Sequence, residues 1–225
     1  MKNYRSSIPK AAQERVIATY LKCPHKYKTE FMLNGEVVGV RFFEENGNLM
    51  SETPLKNGLV HGTQYFFLDG KLDFSEHFHN GLAHGTAKQW SEDGKFIGAY
   101  TMRHGTGLDL WRCKRNWGNG SVFLSEARYY LDGHRHGFEW WINEDQKSVN
   151  HECHFWMDQK HGIERVWNGE GRLKRGYLKY WIKGRQVTKR QYIKECVRGS
   201  FLPQFREKDN LPQRKFPKEI AIHCL

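Results

Sequence analysis

A turn signal recurs along this chain at nearly constant spacing, and it limits the folds that the chain can adopt. Each turn is a two-residue pair with glycine in second place in all but one case, an arrangement typical of tight β-hairpins. The six pairs are Asn46-Gly47, Asp69-Gly70, Asp93-Gly94, Asn119-Gly120, Asp145-Gln146 and Glu170-Gly171. Successive pairs lie 23, 24, 26, 26 and 25 residues apart. This period predicts an array of similar hairpins rather than one enclosed core.

A second glycine precedes most of these turns by eight or nine residues. The corresponding pairs are Val38-Gly39, His61-Gly62, His84-Gly85, His136-Gly137 and His161-Gly162. With both signals taken together, each repeat reads as a turn, a strand, a tight turn and a second strand. Because an isolated hairpin is marginal in water, neighbouring units must stabilise one another. The sequence therefore predicts an all-β fold: an elongated, single-layer, twisted antiparallel β-meander of about six hairpin repeats.

The segments that flank the repeats predict a short helix near each end. Residues 9–22 carry apolar side chains at helical spacing, and Pro9 suits the first helical position. Thr188 and Gln191 match a capping box before a helix over residues 188–197. We therefore expect three regions: an N-terminal helical segment (1–30), a repeat sheet (31–182), and a C-terminal turn, short helix and basic, proline-containing tail (183–225).

The net charge of +11 is concentrated at the two ends of the chain. Residues 1–30 hold seven basic and two acidic residues, and residues 183–225 hold eleven and four. Residues 31–182 hold 18 basic and 19 acidic residues, so the predicted sheet is nearly neutral. An extended basic surface for nucleic acid is therefore not expected on the repeats.

An aromatic side chain recurs four or five residues past the first glycine of each repeat. Its occupants are Phe43, Phe67, Trp90, Trp111, Trp141 and Trp167. Equivalent positions stack in register across a sheet, so we expect these residues to form an aromatic ladder on one face. Packing is the favoured role of this ladder, and a partly exposed ligand-binding stripe is the alternative.

The fourth repeat is longer than the others, and insertions in arrays often map to the binding face. Its extra residues, with the next strand, concentrate Arg and Trp, which are frequent in binding hot spots. The predicted contact residues are Arg112, Arg115, Trp117, Trp140 and Trp141. The alternative is a longer loop that only shields the edge of the sheet.

Histidine stands immediately before the first glycine in four repeats, and histidine is a common metal ligand. Strands two apart stand about 9–10 Å from each other, too far for two such histidines to share a zinc ion with bonds of about 2 Å. Hydrogen bonding in the turns explains them better. In 151–154 (HECH), alternation places His151 and Cys153 on one face and His154 on the other. We predict neither a metal nor another cofactor.

Catalytic and targeting signals are missing from the sequence. It contains no nucleophile elbow, phosphate-binding loop or HExxH pattern, so we do not expect an enzyme. No apolar run approaches the roughly 18 residues of a membrane span, and the first residues do not lead into a signal segment. Five scattered cysteines form no paired framework. This pattern favours a reducing, cytoplasmic location.

The repeat units, such as NGLVHGTQYFFLDGKLDFSEHFH and NGLAHGTAKQWSEDGKFIGAY, resemble the MORN repeat. They are most similar to the variant repeats of bacterial YwqK-type proteins, with a consensus near NGxxHGxxxxYxxNGKLxxxxxY. The resemblance covers about residues 31–182. It departs at Gln146, at the expanded fourth repeat and at Val38, which stands where most repeats have His. It implies an antiparallel repeat sheet and binding rather than catalysis, in some members as an antitoxin.

Three functions are compatible with these features. The first is a non-catalytic scaffold that binds another protein, with a cognate toxin as one candidate partner. The second is peripheral attachment to an anionic membrane through the basic ends, and the third is nucleic-acid binding by the basic tail. A neutral, aromatic-rich sheet favours the first, since charge is depleted at the centre of protein interfaces.

Overall fold

The computed structural model describes residues 3–18, 27–115, 120–199 and 201–224, and most of them lie in antiparallel strands. This confirms the predicted all-β meander. The chain forms two compact units, residues 1–105 and 106–225. The boundaries expected from the sequence, at residues 30 and 182, do not coincide with this division. No helix in the described ranges is long and apolar enough to cross a bilayer.

The described residues of the first unit form ten strands of its sheet. They are β1 (Gln13–Ala18), β2 (Tyr27–Leu33), β3 (Glu36–Phe43), β4 (Leu49–Lys56), β5 (Leu59–Val60), β6 (Gly62–Leu68), β7 (Lys71–His79), β8 (Leu82–Ala83), β9 (Gly85–Trp90) and β10 (Phe96–Arg103). Neighbours pair antiparallel, and the pairs β4–β6 and β7–β9 continue past the short strands between them. The turns use residues in the left-handed region, as at Asp69 (φ 47°) and Gly70 (φ 72°).

The predicted N-terminal helix is wrong. Residues 13–18 form β1, which pairs antiparallel with β2 and places Val16 opposite Thr29. β-Branched Val16 and Ile17 suit a strand, and β1 supplies hydrogen-bond partners for an edge of β2 that a helix would leave open. Residues 19–26, the rest of the predicted helix, lie outside the described residues.

Residues 3–12, here called the N-terminal strap, cover one face of the first sheet. The Tyr4 ring packs edge-on against Tyr65 and Phe67, with centroid distances of 5.0 and 5.3 Å. Ile8 lies so close over Gly39 that a Cβ there would stand 2.4 Å from it. The close approach of the strap therefore requires glycine at this position.

In the part of the second unit that the structure describes, the chain forms eight strands and two helices. They are β11 (Thr106–Lys114), β12 (Val122–Leu131), β13 (His134–Ile142), β14 (Val149–Trp156), β15 (Gln159–Lys160), β16 (Gly162–Val166), β17 (Lys179–Ile182), β18 (Arg185–Val187), α1 (Lys189–Val197) and α2 (Lys218–Ala221), with a 3-10 turn at Glu207–Asn210. The predicted C-terminal helix is confirmed as α1. Thr188 and Gln191 form its capping box.

A register shift beside the hairpin turn in the first five repeats, and an isolated bridge at Trp167 in the sixth, define one equivalent position per repeat, here called the anchor. Phe43, Phe67, Trp90 and Trp167 are anchors, opposite Leu49, Leu72, Phe96 and Leu173. The anchors of the fourth and fifth repeats are Arg112 and Ile142, opposite Leu124 and Val149.

The predicted ladder is therefore wrong at Trp111 and Trp141. Each lies one residue before its anchor, and a shift of one residue turns a side chain to the other face of its strand. Burial follows the register: Ile142 is 3% exposed and Trp141 is 43% exposed. The ladder was predicted by counting residues from the first glycine of each repeat. That count cannot identify the anchor, because the anchor follows the glycine by four residues in one repeat and by five in the others.

Candidate functional site

The C-terminal tail of the second unit, residues 201–224, packs across one face of its sheet, here called the tail face. Trp167 Nε1 donates a hydrogen bond to the carbonyl of Asn210 at 2.7 Å. Leu202 and Ile220 of the tail are buried. The tail is therefore an integral part of this unit.

A buried carboxylate lies on the tail face. Glu152 of β14 is 4% exposed, and its Oε1 accepts a hydrogen bond from Arg165 Nη1 at 2.6 Å. Its Oε2 accepts from Arg214 Nε at 2.8 Å and from Trp140 Nε1 at 2.9 Å. Trp140 and Arg165 are the cross-strand neighbours of Glu152, whereas Arg214 belongs to the tail. The complete cluster forms only when the tail is in place.

The electrostatics of this cluster keep Glu152 ionised. Burial opposes its ionisation, but the neighbouring His154, Arg214 and Arg165 lower its pKa to about 2. Burial lowers the pKa of His154 itself, so its ring carries less positive charge than a free histidine, and the two arginines are the permanent cations beside Glu152. Glu152 is therefore a fixed anion between two cations.

A cavity of about 680 Å³ lies between the tail and the sheet. Trp140, Glu152, His154 and Arg165 line its sheet side, and residues between 203 and 217 line its tail side. Most of the charged residues around it are basic, so it can hold an anionic group.

The structure separates the residues predicted in the fourth repeat. Arg112 lies on the tail face, with its Nη2 3.2 Å from His223 Nδ1, and burial lowers its pKa. Arg115 instead donates from Nη2 to the carbonyl of Glu144 at 2.7 Å, beside the next hairpin turn. Trp117 lies outside the described residues.

The two consecutive tryptophans of β13 point to opposite faces. Trp140 bonds to Glu152 and packs against Phe138 and Phe216, with centroid distances of 4.2 and 5.5 Å. Trp141 lies on the other face and meets the His151 ring edge-on at 5.5 Å. The predicted contact residues that the structure describes therefore do not form one surface.

The face that carries Trp141 is here called the open face of the second unit. Cross-strand register places five residues on it in one row: Trp111, Glu126, Trp141, His151 and Val166. Beside this row, Arg128 pairs with Asp109 at 3.4 Å and with Glu139 at 3.6 Å. The open face therefore combines an exposed indole with a network of paired charges.

Three of the four recurring histidines, His61, His84 and His161, hydrogen-bond to turns as the sequence predicted, whereas Nδ1 of His136 has no partner among the described residues. His84 Nδ1 accepts from the backbone N–H of His104 at 3.2 Å, and His161 Nδ1 accepts from that of Lys183 at 3.1 Å. Both donors have positive φ and precede a glycine in a neighbouring turn. Within the described residues, no group of three His, Cys, Asp or Glu side chains is arranged to hold a metal ion.

Sequence reasoning missed Glu152, Arg165 and Arg214 as site residues. A signal for one of them is present in β16, where Arg165 stands between Ile163 and Trp167 at the spacing of a single strand face. A charged residue between two apolar residues on one face indicates a buried ion pair. Arg214 gives no comparable signal, because only the path of the tail brings it to Glu152.

No protein-family model matches the sequence, and no curated protein matches it either. The resemblance to MORN-type repeats therefore stays a prediction.

Proposed function

We propose that this chain is a non-catalytic scaffold that binds another protein through the open face of its second unit. The observation that carries this proposal is the exposure of Trp141, 43%, on the face opposite the tail. Tryptophan and arginine are over-represented among the residues that dominate binding energies. A partner that covers Trp141 would bury an apolar surface that is now in contact with water.

The charges beside Trp141 suit a polar rim around an exposed apolar contact residue. Arg128 is held by Asp109 and Glu139, and Arg135 lies 3.7 Å from Glu139. Paired side chains lose less conformational freedom on binding than mobile ones. The paired charges also leave the face without a strong field of one sign, so we expect selection by shape and local pairing rather than by net charge.

Two neighbouring buried groups of β14 each keep one protonation state at neutral pH, which suits a structural role for both. Glu152, with a pKa of about 2, stays ionised at neutral pH and cannot exchange a proton there. Burial raises the pKa of Cys153 to about 12, so this thiol does not form the thiolate that a nucleophile requires. Neither group has the pKa of a catalyst working at neutral pH.

A photo-crosslinking amino acid at position 126, directly opposite Trp141 on the open face, tests the docking surface in cells with Trp141 in place. The captured protein would then be purified, and its affinity measured for the wild type, Trp141→Ala and Phe66→Ala. Phe66 is the matched control: it lies one residue before the anchor of its own repeat and is 37% exposed. We expect Trp141→Ala to weaken binding by at least about tenfold, a loss above 1.4 kcal/mol, and Phe66→Ala to leave it unchanged. Equal affinities of all three proteins would exclude this surface.

An antitoxin- or immunity-type role is the specific form of this function that the resemblance implies. If the captured partner is a toxin, co-expression with the wild type should relieve its effect on growth, and co-expression with Trp141→Ala should not. Attachment to membranes or nucleic acid by the basic tail is less well supported. The tail is packed on the sheet, and Arg214, one of its basic residues, is bound to Glu152.

A further inference from the structure

We propose that the cavity beneath the C-terminal tail is a binding site for a small phosphate dianion, either free phosphate or the monoester of a small molecule. This site goes beyond the docking of a protein, and it lies on the face of the sheet opposite Trp141. Three features support it: an unpaired buried donor, the positive charge around the cavity, and the kinds of hydrogen-bond donor that line it.

The unpaired donor belongs to Arg165. Its side chain is 3% exposed, its Nη1 bonds to Glu152, and its Nε lies 3.5 Å from Asn210 Oδ1. Its Nη2 is buried and has no hydrogen-bond partner among the described residues. Buried donors of this kind are rare, because leaving one unpaired costs free energy. Arg165 also lines the cavity, and we infer that a ligand bound there supplies the acceptor for Nη2.

Positive charge exceeds negative charge around the cavity. The basic lining residues are Arg165, Arg206, Lys208, Arg214 and Lys215, and the acidic ones are Glu152 and Asp209, an excess of three positive charges. Glu152 is shared by two guanidinium groups, and Asp209 pairs with Arg206 at 2.9 Å. The acidic residues of the cavity therefore cannot neutralise its basic ones.

The two lysines of the lining are the groups best placed to meet an incoming anion. Lys208 and Lys215 are both exposed, and neither has an ion-pair partner within the described ranges. Flexible ammonium groups bind phosphate as point charges, while a guanidinium supplies donors in a fixed fork. Arg165 at the base and lysines at the surface thus provide both kinds of contact.

The dianion is the ligand class that this lining suits best. A cavity of about 680 Å³ is the size of a small-molecule site, and its excess of three positive charges favours a doubly charged group over a neutral ligand. The side-chain amides of Gln204 and Gln213 add neutral donors. A phosphate group presents several acceptor oxygens to these donors at once.

Calorimetric titration of the full chain tests the proposal, with inorganic phosphate, glycerol phosphate and succinate as ligands. The first variant is Lys208→Ala/Lys215→Ala, which removes two exposed side chains from the cavity. The matched control is Lys56→Ala/Lys88→Ala, which removes the same charge from exposed positions in the first unit. A third variant, Arg165→Lys, keeps the charge opposite Glu152 and removes the unpaired Nη2. Circular dichroism verifies the folding of each.

We expect one phosphate site per chain. Its affinity should fall at least about tenfold in Lys208→Ala/Lys215→Ala and in Arg165→Lys, and less than about twofold in the control. Tighter binding of glycerol phosphate than of free phosphate would identify the monoester as the better ligand. The proposal is wrong if the wild type gives no heat at millimolar phosphate, if succinate binds as tightly, or if both lysine pairs have the same effect. Trp141→Ala should leave phosphate binding unchanged, which separates this test from that of the docking surface.

Discussion

Both units bury a carboxylate beneath a terminal segment of the chain, but the charges that surround the two carboxylates differ. Each sheet has one face covered by a terminal segment of the chain, and each has a buried carboxylate at the same repeat position: Glu52 in the first unit and Glu152 in the second. Tyr4 of the N-terminal strap donates to Glu52, and Arg214 of the tail donates to Glu152. The terminal segment thus completes the carboxylate site in both units.

The difference lies in which group is left without a partner. In the first unit, Arg41 and the neutral Tyr4 both bind Oε2 of Glu52, and the buried Oε1 has no partner among the described residues. In the second, the unpaired group is the donor Nη2 of Arg165. In the first unit the terminal segment contributes a neutral hydroxyl, and one carboxylate oxygen stays without a donor. In the second unit it contributes a second arginine, and one guanidinium donor stays without an acceptor. One repeat position can therefore produce either a closed structural contact or an anion site, depending on the segment that covers it.

The largest expected effect comes from removing the charge of each carboxylate. Glu152→Gln leaves Arg165 and Arg214, with side chains 3% and 11% exposed, without their counter-ion, and should lower the free energy of unfolding by about 3–5 kcal/mol. Glu52→Gln should cost less, about 1–3 kcal/mol, because Arg41 is 23% exposed and lies 3.6 Å from Glu14. Urea denaturation of the two variants measures both values. A larger loss in Glu52→Gln would contradict the comparison.

The next effect separates an anchor from its exposed neighbour. Trp90→Ala removes a side chain that is 6% exposed and packs with Phe67, and it should cost about 3–5 kcal/mol. Trp141→Ala removes a side chain that is 43% exposed, and its cost should stay below about 1 kcal/mol. Thermal denaturation of both variants distinguishes these positions. Similar losses would restore Trp141 to the predicted ladder.

The pH dependence of the second unit should report on Glu152. Because the pKa of Glu152 is lowered from 4.5 to about 2 by folding, the folded state binds fewer protons than the unfolded state in this range. Its contribution to stability is therefore complete above about pH 4.5 and is lost as the pH falls toward 2. Urea unfolding at a series of pH values should show this loss in the wild type. Glu152→Gln should show a flatter dependence over the same range.

The smallest effect concerns the turn histidines. His161→Phe keeps a ring but removes the acceptor for Lys183 N–H, and should cost about 1 kcal/mol. His136 is the matched control, since it holds the same repeat position and its Nδ1 has no partner among the described residues. His136→Phe should cost less. Burial, with the charge of Lys183, lowers the pKa of His161, so its contribution should be lost as the pH falls below about 6.5. Equal losses in both variants would contradict this role.

The hairpins, their turns and the C-terminal helix could be predicted from the sequence because they depend on neighbouring residues. Asp69-Gly70 reverses the chain because both residues adopt positive φ, and Thr188 and Gln191 cap α1 through contacts three residues apart. The turn role of His84 and His161 was also predictable, since it repeats with the period of the array. All these features depend on residues that are close in the sequence, and the hairpin signals recur in several repeats.

The strand at residues 13–18, the two displaced tryptophans and the candidate site were decided by tertiary structure. β1 forms because β2 has an edge to pair, although the local pattern of residues 9–22 suits a helix. A register shift of one residue sends Trp141 to the open face and Ile142 to the interior. Arg214 meets Glu152, 62 residues away, only through the path of the tail. Such contacts depend on which chain segments meet in space, and no local preference encodes that.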